Sequence, residues 1–94
     1  MSDITTTTVT ADGVAVNHPA RVKSIYYVRG ASAGSIVLKD GGSSGTALFT
    51  LTTPGAGSGV DAANTMSIPS DGLRFTSNVY VDVTNVSSVT LFHA

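Results

Sequence analysis

The chain has no cysteine, no tryptophan, no glutamate and no glutamine. Without cysteine there is no disulfide framework, no thiol nucleophile and no thiolate-built zinc site. Charge is scarce as well: Asp, Lys and Arg together make up 12 % of 94 residues, about half the usual share of roughly 25 %. Five basic residues against six acidic ones, with pI ≈ 6.0, lack the electrostatic footprint of a nucleic-acid binder. No apolar run approaches the roughly 18 residues that a membrane span requires. The opening Met1-Ser2-Asp3-Ile4-Thr5 has no basic region followed by an apolar one, so no signal peptide is expected. Glu, Lys, Leu and Ala are too few for a coiled coil or a helical bundle.

What is present is hydroxyl, glycine and valine. Thirteen Thr, twelve Ser and ten Gly fill 35 of the 94 positions, and there are twelve Val. A mean hydropathy of +0.25 and a net charge of −1 argue against a disordered tail. All six acids are Asp, which suits turns better than helices.

The dominant period is two. Across Arg21–Arg29 the positions Val22, Ser24, Tyr26 and Val28 alternate with Arg21, Lys23, Ile25, Tyr27 and Arg29. This predicts a half-buried strand with a mainly apolar inner face and a basic outer one. Ile36 and Leu38 share a face, as do Ala47, Phe49, Leu51 and Thr53. Val79, Val81 and Val83 point inward and Tyr80, Asp82 and Thr84 outward; Val89 and Leu91 repeat the pattern. Turn chemistry separates these runs. Asp40–Gly45 reads as a Gly-rich hairpin loop, Pro69-Ser70-Asp71-Gly72 as a type I turn, and Thr84–Ser87 as the link between the last two strands. His18-Pro19 ends an early strand, and a loop of about ten residues opens at Pro54. The expectation is a single all-β domain over residues 1–94. It is an antiparallel β-sandwich or small barrel of about eight short strands, jelly-roll-like and without helix.

The first strand is unusual. Ile4–Thr10 has high β propensity but little to bury, and residues 1–11 form either a sheet edge or a Thr-rich arm that adds to a neighbouring subunit.

No catalytic, cofactor or metal site is expected. Gly41-Gly42-Ser43-Ser44-Gly45 matches G-x-S-x-G, but a strand follows it where a nucleophile elbow needs a helix. His18 precedes a proline and His93 is the penultimate residue. Both are poor bases for a Ser-His-Asp triad and are expected at the surface or an interface. Asp12, Asp40 and Asp71 each precede a glycine, where an Asp side chain bonds the backbone two residues on; Asp82 stands alone. No pair of acids is indicated for glycoside hydrolysis. Asn85-Val86-Ser87 is a formal glycosylation sequon with no secretory route, and Gly55-x-Gly57-x-Gly59 lacks the helix a dinucleotide site needs.

One surface feature remains. Arg21, Lys23 and Arg29 share a predicted face with Ile25 and Tyr27. This is either a solvated face with snorkelling stems or an interface patch suited to an acidic protein partner. With Thr5, Thr7 and Val9 of the first strand, these residues form the expected interface.

The stretches Ile25–Val28, Ile36–Gly42 and Gly45–Phe49, followed by Ile68–Phe75 and Val89–Phe92, resemble a pattern in small virion structural proteins of tailed phages. The similarity is greatest to phages of marine and cyanobacterial hosts, and it covers roughly residues 20 to 94. It implies a structural role without an active site: a capsid decoration (cement) protein or a small tail, neck or fibre component. The implied place is the virion, assembled in the host cytoplasm. The implied partners are other copies of the chain and the major capsid or another virion protein, with no nucleic acid or membrane contact. The alternative is a carbohydrate-binding host-recognition module. The absence of Trp and Gln argues against it, leaving only Tyr26, Tyr27 and Tyr80 as aromatic platforms.

Overall fold

A computed structural model describes residues 4–69 and 72–94 of the chain. Nine strands and no helix are found among them: β1 (Thr5–Val9), β2 (Gly13–Val16), β3 (Ala20–Arg29), β4 (Gly34–Asp40), β5 (Thr46–Thr53), β6 (Ala63–Ser67), β7 (Leu73–Phe75), β8 (Val79–Thr84) and β9 (Val86–His93). They pair antiparallel into two sheets. One has the order β1-β9-β3-β6, with β7 also on β3; the other runs β2-β8-β4-β5. Successive strands change sheet at every connection except β4–β5 and β6–β7. That order is the double Greek key of a jelly roll, as the alternation and turn spacing predicted.

The core lies between the sheets and is almost wholly aliphatic. Ile36 and Leu38 of β4 and Val79 and Val81 of β8 face Val22, Ile25, Val89 and Leu91 of β3 and β9, all fully buried. Each such side chain contributes roughly 1.5–3 kcal/mol by leaving water. Phe75 is the largest fully buried residue, and Val83 packs at the margin.

In β3 the structure departs from simple alternation. Val22 pairs with His93 and Ser24 with Phe92, so Lys23 is an extra residue with no partner on β9. This bulge lies where the other neighbour of β3 changes from β7 (opposite residues 20–22) to β6 (opposite residues 24–28). A bulge inverts the faces beyond it. Ala20 and Val22 point inward, but after Lys23 the inward residues are Ile25 and Tyr27, while Tyr26 turns out and is 39 % exposed. The predicted outward positions of Ile25 and Tyr27 are therefore corrected. Both belong to the core.

Distant side-chain bonds close the loops. The Asp40 carboxylate accepts from Thr76 N (3.0 Å), Thr76 Oγ1 (2.9 Å) and Ser77 N (2.9 Å). In return, Asn78 Oδ1 accepts from Gly41 N (3.2 Å) and Gly42 N (3.1 Å). Gly41 and Gly42 have φ of 105° and 88°, a left-handed backbone that glycine adopts without a Cβ clash. Asp12 accepts from Val83 N at 2.7 Å. Asp12 and Asp40 thus fasten remote segments rather than their own turns, another departure from the sequence reading. In the Pro69–Gly72 turn the closing bond, Gly72 N to Pro69 O, measures 3.3 Å. Ser70 and Asp71 lie outside the described residues, and with them the turn type and the role expected for Asp71.

Candidate interaction surface

The predicted interface separates into three groups. Thr5, Thr7 and Val9 lie on β1, which pairs in register with β9 of the same chain, from Thr5↔His93 to Val9↔Val89. Thr7 and Val9 are half-buried toward the sandwich interior, and Val9 packs on the core. β1 is a sheet edge within its own fold, not an arm extending away from it. Ile25 and Tyr27 are core residues, as described above. Arg29 is occupied by its own chain. Its side chain donates to Asp61 O (3.0 Å), Gly30 O (3.2 Å) and Val60 O (3.4 Å), and so anchors the long loop before β6.

Arg21 and Lys23 remain, and the fold brings them a partner that sequence reading missed. Arg74 of β7 lies directly opposite Arg21 in the antiparallel register. The signal was the alternation Leu73-Arg74-Phe75, which turns Arg74 outward, but its neighbour depends on strand pairing. The three cations line a groove of about 460 Å³, with Pro19, Ala20, Phe75 and Ala94 completing its walls. Backbone bonds fix its frame: Arg21 N donates to Ala94 O (2.9 Å), Ala94 N to Arg21 O (2.8 Å), and Ile68 N to Lys23 O (2.9 Å).

Beyond the groove, the described residues on the outer face of the same sheet carry no charge. Alternation places Thr6 and Thr8 of β1, Ser88, Thr90 and Phe92 of β9, Ser24, Tyr26 and Val28 of β3, and Ala63, Thr65 and Ser67 of β6 on it. Thr8, Thr90, Tyr26 and Thr65 form one row across four strands, and the Thr8 and Thr90 hydroxyls are 2.8 Å apart.

The residues weighed as catalytic do not meet. Ser43 is exposed in the β4–β5 hairpin loop, where its carbonyl accepts from Lys39 Nζ at 3.1 Å. His18 is exposed, with Nδ1 2.8 Å from Pro19 O. His93, expected at the surface or an interface, is only 5 % exposed, because the inward alternation of Val89 and Leu91 continues to it between β1 and β3. Burial lowers its pKa, and the charge of His18 adds to the shift. Asp82 forms an ion pair with Lys39 at 3.4 Å, both partly exposed. No group of three or more His, Cys, Asp or Glu that could hold a metal is found among the described residues.

The chain matches no protein-family model, no curated protein and no solved structure. The fold is a jelly-roll β-sandwich, an architecture that hosts many unrelated functions, so its role resides in its surfaces.

Proposed function

We propose that this protein is a non-enzymatic structural subunit of a phage particle, a capsid decoration or cement protein that acts by protein–protein contact through the outer face of the β1-β9-β3-β6 sheet. The observation that carries this reading is the uncharged field of hydroxyls around Tyr26 and Phe92. The centres of protein interfaces are depleted of charge and enriched in aromatics. Burying hydroxyls that find new partners costs far less than burying ions. Tyr set among Ser and Thr provides a rigid anchor surrounded by adaptable hydrogen-bonding groups. The resemblance of residues 20 to 94 to small virion proteins supplies the particle, and the jelly-roll order is compatible with it.

A carbohydrate-binding role is the second reading, favoured by the single exposed Tyr26 on a face of hydroxyls. The experiment is binding of the purified chain to phage capsids and to a glycan array, with Tyr26→Asp as the variant. Capsid binding that falls at least tenfold in the variant is the expected result, since a central hot spot is worth about 2 kcal/mol or more. Glycan binding without capsid binding, or capsid binding indifferent to Tyr26→Asp, overturns it.

A further inference from the structure

The five basic side chains fall into two sets. Arg29 is spent on three backbone carbonyls, and Lys39 on Asp82 and the Ser43 carbonyl. Arg21, Lys23 and Arg74 have no hydrogen-bond or ion-pair partner among the described residues, and all three line one groove. No described Asp side chain lines it: Asp12 and Asp40 are bonded to backbone elsewhere, and Asp82 is held by Lys39.

The arrangement is costly to the isolated fold. Like charges directly opposite on antiparallel strands repel, and Arg21 faces Arg74 in this way. The bulge then adds Lys23 beside them, on backbone held by Ile68. An anion seated between the three would convert this repulsion into attraction. Two guanidinium forks offer the planar, paired donors that fit a carboxylate.

We infer that this groove binds carboxylate side chains of an acidic polypeptide segment. Three cations are few for a nucleic-acid tract, because affinity of that kind grows with the number of phosphates neutralised. A groove of about 460 Å³ accommodates one or two acidic side chains. A segment is favoured over a free small anion because, among the described strands, β7 pairs with β3 alone, and its other backbone edge lies beside the cations where an extended chain could add. The inference is independent of the particle role. The groove would bind acidic peptides even if the neutral face bound nothing.

The test uses fluorescence anisotropy with a labelled, capped hexa-aspartate peptide. Capped hexa-asparagine, inorganic phosphate and a thymidine oligonucleotide serve as comparison ligands. Hexa-aspartate should bind, with an affinity that falls at least tenfold between about 50 and 300 mM salt as screening shortens. Arg21→Gln and Arg74→Gln should each weaken it at least fivefold, and Lys39→Gln should leave it unchanged. Arg74→Gln should also raise the thermal midpoint at low salt without ligand, by about 1–3 °C, because it removes the repulsion. That gain should vanish at high salt. Equal binding of hexa-asparagine, binding indifferent to Arg74→Gln, phosphate binding without peptide binding, or tighter binding of the oligonucleotide would each overturn the inference.

Discussion

The Thr7 hydroxyl lies 3.0 Å from Nε2 of His93, joining the first strand to the last inside the sandwich margin. The contact is made across the β1–β9 ladder and covers an imidazole that would otherwise lie at a sheet end. It gives the Thr-rich strand a structural purpose within its own chain.

His93 supplies the first prediction. Burial holds its pKa below the ordinary 6.5, so the unfolded chain takes up a proton before the folded one does. Stability is therefore complete above pH 6.5 and falls as pH drops from there toward the lower folded value. Urea midpoints measured from about pH 7.5 down to about pH 5 should decline for the parent. They should be flatter for His93→Gln, and a flat parent profile would contradict the assignment.

Asp40 acts in the same direction, in a lower pH range. The backbone N–H groups of Thr76 and Ser77 hold its pKa below the ordinary 3.8, and the Thr76 hydroxyl adds to this. The stability it contributes is present above pH 3.8 and is lost as pH falls from that value through the lower folded one. Asp40→Asn should melt below the parent at neutral pH. The two melting temperatures should converge in acid, where the parent carboxyl is itself neutral.

Thr53 ends β5 fully buried, and its hydroxyl has no hydrogen-bond partner among the described residues. An unsatisfied buried polar group costs about 1–3 kcal/mol, and valine keeps the shape. Thr53→Val should stabilise the fold by about 1 kcal/mol, seen as a higher urea midpoint with an unchanged slope. A lower midpoint would mean that the hydroxyl is satisfied in solution.

Ser43 sits exposed in its hairpin loop, and only its backbone carbonyl is bonded. Ser43→Ala should change stability by less than about 0.5 kcal/mol. A hydrolytic activity that vanished with this substitution would restore the nucleophile-elbow reading.

Local pattern sufficed for much of the architecture. The alternation of Val79, Val81 and Val83, and of Val89 and Leu91, sets their inward faces wherever those strands pair, because successive side chains of a strand point to opposite sides. The Gly41-Gly42 turn likewise follows from backbone freedom that those two residues carry themselves. Arg21 and Lys23 were legible as surface cations, but their site was not.

Tertiary pairing decided the rest. Whether Ile25 or Tyr26 faces the core depends on one unpaired residue, Lys23, and a bulge arises from the register of two neighbouring strands rather than from the sequence of one. Arg74 meets Arg21 because β7 docks on β3 more than fifty positions away in the chain, and Asp40 at the end of β4 bonds Thr76 36 positions further on. The sequence by itself determined most of the strands, the glycine turn at Gly41-Gly42 and the aliphatic sandwich, since these depend on interactions between near neighbours and on the period of burial. Only the folded chain decided which cations share a groove, which histidine is buried and which face of β3 is free. Those properties belong to non-local registers, where a slip of one residue exchanges inside for outside.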